Sequence, residues 1–137
     1  MTFDAYDELC AWTLGRGDPE FVHQHVVDAQ MLQQADEHTK PIGIAFALAG
    51  LYLFLERSYT GREVQRAHMK LGQAGGPWPR FSLPDERGAV TAAEVLANPA
   101  GEARTSAIRR WCASVWEPWS IHRARVIAML QAHRIIP

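Results

Sequence analysis

The chain has 137 residues, 47% of them apolar and 21% charged, which suits one globular domain of 1–137. A formal net charge of −1 gives no general attraction to nucleic acid or to anionic lipid. Two lone cysteines, Cys10 and Cys112, exclude a disulfide framework or a CxxC zinc site, and the acidic start MTFDAYDE has no signal-peptide apolar run, so a cytoplasmic bacterial protein is expected.

The first helix is predicted over Phe3–Leu14, with Thr2 as N-cap and Gly15 as the stop; Tyr6, Leu9, Cys10 and Thr13 share one face. Asp18-Pro19 predicts the start of a second helix running to about Ala35, an Asp cap followed by proline at the first helical position. Its stripe is Phe21, His25, Asp28 and Leu32. The stretch Pro41–Leu55, PIGIAFALAGLYLFL, holds fifteen residues without a charge. It is apolar on every side, so it must be buried. At ~1.5 Å per residue it reaches ~22 Å, too short to span a bilayer comfortably. A central helix over 41–57 is therefore expected, with Gly43 and Gly50 admitting close neighbours and Ala47, Leu48, Leu51 and Phe54 almost inaccessible.

Thr60-Gly61-Arg62-Glu63 has the pattern of a capping box opening a fourth helix to about Leu71, with Val64, His68 and Leu71 on one stripe. Residues 72–90 are rich in glycine and proline but carry Trp78, Phe81 and Leu83, which reads as an ordered strap across the bundle. Thr91 and Glu94 open a short helix to about Ala97. The last helix is predicted from Glu102 to His133 on a stripe of Ile108, Cys112, Val115, Trp119, His122, Val126 and Met129. Pro118 lies inside it and predicts a kink near Ser114–Trp116. The fold class is all-α: a helical bundle around a buried central helix, a strap, and a long kinked C-terminal helix.

Polar groups on apolar stripes are the functional signal. His25, Asp28, His68 and His122 fall where a core should be, with Glu56 at the end of the central helix as a further candidate. His25 and Asp28 are three apart and neighbours on one helix face. A carboxylate beside an imidazole serves metal ligands and general bases alike. His23 is nearly opposite His25, so the HxH pair does not chelate. One reading gathers His25, Asp28 and His122, with His68 and Glu56 as reserves, around a divalent transition metal or a small-molecule ligand. The plainer reading makes each histidine a hydrogen-bonded core residue in a non-catalytic module that forms a homodimer or binds a partner, through the tryptophan-bearing face of the last helix. Arg109 and Arg110 could bind an anion, although a solvated face is the default for arginines.

HQHVVDAQ (His23–Gln30), HTKPIGIAFALAGLYLFLER (His38–Arg57), WPRFSLP (Trp78–Pro84), TAAEVLANP and WCASVWEPWSIH (Trp111–His122) together resemble a bacterial domain-of-unknown-function family, in matching order and spacing. The resemblance implies an α-helical bacterial domain and carries no activity with it. Gln33-Gln34 stands where the family usually has Gln-His, and cysteine pairs that some members bear near the N-terminus are absent here; both departures weaken a metal assignment. The general shape is also similar to DinB-like metal-binding bundles, at the level of fold alone.

Overall fold

The computed structural model describes residues 4–137; the expected cap Thr2 and helix start Phe3 lie outside them. Helix α1 (Ala5–Gly15) is capped by Asp4, whose carboxylate accepts from the Asp7 N–H at 2.9 Å. Helix α2 (His23–Gln33) begins later than Asp18-Pro19 predicts and ends before Ala35. The Asp18 carboxylate closes a turn instead, accepting from the N–H groups of Glu20 (2.9 Å) and Val22 (3.0 Å). Phe21 is held in the left-handed region at φ 59°, where a bulky residue is rarely found. The start of the fourth helix clamps that turn. The Arg62 N–H donates to the Glu20 carbonyl at 2.9 Å, and a Cβ at position 61 would lie 1.7 Å from the Phe21 carbonyl oxygen, so only glycine fits.

Helix α3 (Pro41–Arg57) is the centre of the bundle. From Ile44 to Leu53 every residue except Phe46 is buried, as its lack of charge requires. Ser58, left-handed at φ 58°, ends it, and the Tyr59 N–H closes back on the Leu53 carbonyl at 3.0 Å. Helix α4 (Gly61–Ala74) opens with the expected capping box between Thr60 and Glu63, at 3.1 and 2.9 Å. Thr91 caps α5 (Ala92–Ala97) by accepting from the Glu94 N–H.

Helix α6 (Glu102–Trp119), a 3₁₀ turn (Ser120–His122) and α7 (Arg123–Ala132) form one joined helical stretch. All seven residues of its predicted stripe are buried. Helix α6 runs uninterrupted through Ser114–Trp116 and Pro118, and the change to a 3₁₀ turn falls at 120–122. Pro118 leaves the Ser114 carbonyl without its helical donor. The strap closes over that carbonyl. A Cβ at Gly88, whose φ is +97°, would lie 2.5 Å from the Ser114 oxygen.

The strap is tied down by hydrogen bonds to its carbonyls and by the side chain of its own Arg87. Gln33 donates to Val90 O at 2.8 Å, Arg125 to Arg80 O at 3.0 Å, and Arg87 to both Pro84 O and Ala35 O. Phe81 is buried, and Trp78 stacks on His133 and meets Phe46 edge-on. Trp111, Trp116 and Trp119 all point inward, and their N–H groups donate to Gln33, Glu56 and the Leu32 carbonyl. The face that the partner-binding reading offered is thus core. Among the described residues there is no strand, and no helix is long and apolar enough to cross a membrane.

Candidate functional site

The polar groups of the α2 stripe do not meet as expected. Asp28 is fully buried, and its Oδ1 accepts from Gln24 Nε2 at 3.1 Å, one helical turn back, not from His25. Its Oδ2 has no partner among the described residues. That oxygen presses on the α3 backbone at Gly50, where a Cβ would stand 1.9 Å from it. Gly50 does admit a close neighbour, and the neighbour is this carboxyl. Burial raises the Asp28 pKa well above the ordinary carboxylate range, against a smaller opposing effect of the Gln24 bond. The side chain is held as a neutral acid over a correspondingly wider pH range.

His25 is 3% exposed and stacks flat on Phe54, with ring centroids 3.5 Å apart at 9°. Neither ring nitrogen has a hydrogen-bond partner among the described residues, and Nδ1 is sealed from solvent. Burial pulls its pKa down to about 3, and the charge of Arg109 adds to the shift. The ring is therefore a neutral imidazole at neutral pH, with one donor and one acceptor nitrogen.

His25 lines a half-enclosed cleft of about 540 Å³ between α2, the end of α3 and α6. Phe54 forms its aromatic wall, which explains why this residue is only partly buried where the sequence predicts burial. Arg109 reaches over Phe54, its guanidinium carbon 5.1 Å from the ring centroid, and makes no hydrogen bond or ion pair among the described residues. The clamped turn of Asp18 and Val22 forms the opposite rim, with Tyr59 and Thr105 beside it.

His122, expected across the core from His25, lies under the strap. Its Nε2 is 2.8 Å from Ser82 O, and its ring packs between Phe81 and Trp119. His68 is held at 2.7 Å to Phe46 O, and burial lowers its pKa while that bond opposes the shift. Glu56 accepts from Trp116 at 3.0 Å and from Arg123 at 2.7 Å. His122, His68 and Glu56 thus have structural partners, and the expected meeting of His25, Asp28 and His122 is not formed. Among the described residues no three His, Cys, Asp or Glu side chains gather in metal-ligand geometry. The reason is register: the 3₁₀ turn and the strap carry His122 to Ser82, 40 residues back in the chain.

The sequence pattern of DUF5946, a family of unknown function, matches residues 3–120. The chain belongs to that family. No curated protein matches, and no solved structure does. The part of this DUF5946 chain that matches includes His25, Asp28, Phe54 and Arg109, and stops two residues short of His122.

Chemically, the cleft of the DUF5946 chain offers a neutral hydrogen-bonding ring at its floor, an aromatic wall and, among the described residues, one cation without a hydrogen-bond partner. Buried side-chain nitrogens and oxygens are nearly always paired, so the open His25 is the departure that needs a reason. Periodicity marks His25 as buried. Phe54 and Arg109, which complete the cleft, lie on other helices and carry no joint signal in the sequence.

Proposed function

We propose that this protein binds a small organic molecule in the cleft floored by His25. The observation that carries the reading is the unpartnered His25 ring, buried in protein yet lining a cleft of about 540 Å³. Leaving a ring nitrogen unpaired costs ~1–3 kcal/mol. Nδ1 is sealed, so a ligand would act through the other nitrogen, Nε2, which also has no protein partner among the described residues. Ligand pockets are commonly apolar-walled clefts with a few polar groups placed for orientation, and this one has that composition. The test is a fragment screen by NMR on the full chain, following the ring signals of His25 and Phe54. Hits are expected to shift both, and His25→Phe should abolish those hits while the fold persists. A screen in which no fragment moves either ring would remove the reading.

A divalent transition metal is the second reading, favoured by one observation: two unpartnered atoms, His25 Nδ1 and Asp28 Oδ2, three residues apart on α2. A third ligand would have to come from a rearrangement or from the bound molecule. Metal analysis of the purified protein decides it. Stoichiometric zinc, iron or nickel that falls on both His25→Ala and Asp28→Ala supports a metal, and background content in the wild type dismisses it.

A further inference from the structure

The charges around the cleft bear on what would occupy it, and this step rests on the cleft being a ligand site. Asp18 has both carboxylate oxygens engaged by backbone N–H groups. Arg16 donates to Thr105 Oγ1 at 3.0 Å and lies over the Trp12 ring. Glu20 and Glu102 are exposed and keep their water. Arg109 alone among the cleft cations is without a hydrogen-bonding partner among the described residues, and it is held over Phe54. A guanidinium presents a planar fork that matches a carboxylate with two parallel hydrogen bonds. The cleft rim carries three acidic side chains against two arginines, so an anion is held there only through direct contact with Arg109, and a dianion such as a phosphate monoester would meet the larger repulsion.

We infer that the ligand is a small monocarboxylate, its carboxylate forked on Arg109 and its apolar body laid along Phe54 toward His25. Nε2 of the neutral His25 ring, the nitrogen that is not sealed, then meets an uncharged hydroxyl, amide or ring nitrogen of the ligand, where a second charge would be buried without a counter-ion. The cleft thereby selects for one charged end and one polar but uncharged end.

The experiment uses benzoate and its neutral counterpart benzamide, titrated into the full chain by NMR at low salt. Benzoate is expected to shift the Phe54 and His25 rings saturably and to bind at least tenfold tighter than benzamide. Arg109→Gln should erase that preference. Arg109→Lys should keep part of it, since the charge remains and the fork does not. Arg109 is exposed, so both variants are expected to fold, and tryptophan fluorescence checks it. Equal binding of the two probes, or a preference that survives Arg109→Gln, overturns the inference and leaves the cleft as a site for neutral ligands. No shift with either probe also overturns it, and the fragment screen then tells whether the cleft binds anything else.

Discussion

Asp28 gives the most direct test of how this core is arranged. The side chain is buried, one oxygen is without a partner among the described residues, and it lies against the Gly50 backbone. Its folded pKa is raised by burial. The sign follows from proton counting. Above the ordinary carboxylate value of about 4 the unfolded chain has lost this proton, while the folded chain still holds it. Stability contributed by the neutral acid is fully present below that value and is lost as pH rises toward the folded pKa, at about 1.4 kcal/mol per pH unit. Asp28→Asn keeps a neutral planar group of nearly the same shape and removes the titration. Urea melts of both proteins from pH 4 to 8 should give a stability difference near zero, or slightly against the variant, at the acid end. The difference should then swing in favour of Asn with that slope and level off at the folded pKa. The titration of His25 is common to both proteins and largely cancels. A difference that is flat across the whole range would mean that Asp28 is ionised or solvated in the fold, and would refute the buried neutral acid.

Other outcomes follow from the same packing. His25→Phe keeps the stack on Phe54 and removes an imidazole whose folded pKa is about 3; because the unfolded ring takes up a proton near pH 6.5, its gain over wild type should grow by about 1.4 kcal/mol per unit as pH falls below that value, read by urea melts. Gly50→Ala drives a methyl into the Asp28 carboxyl and should destabilise by ~1–3 kcal/mol or more, with much of that loss recovered when Asp28→Ala is added, in a double-mutant cycle. Leu51→Ala, at a fully buried position in the middle of α3, should cost ~2–5 kcal/mol in denaturant melts, and a loss under about 1 kcal/mol would place α3 at the periphery.

What the sequence determined by itself was local. The uncharged run at 41–55 could only be a buried helix, the Thr60–Glu63 pattern marked a helix start to the residue, and the spacing from Ile108 to Met129 identified a face that is buried at every position. Each of these depends on groups within a few residues of one another, where helix geometry alone sets the neighbours. Tertiary structure decided what lies across the gaps. Phe21 is left-handed because Gly61 and Arg62 clamp its turn, so α2 starts at His23 despite a good cap-and-proline signal at Asp18. His122 found Ser82 on the strap and not His25, and Asp28 found Gly50. Burial of the stripe could be read from periodicity, but partners could not. A partner depends on how neighbouring helices sit against each other, and a small shift between packed faces exchanges one for another. Phe54, His25 and Arg109 come from three separate helices, and only their packing makes them one cleft.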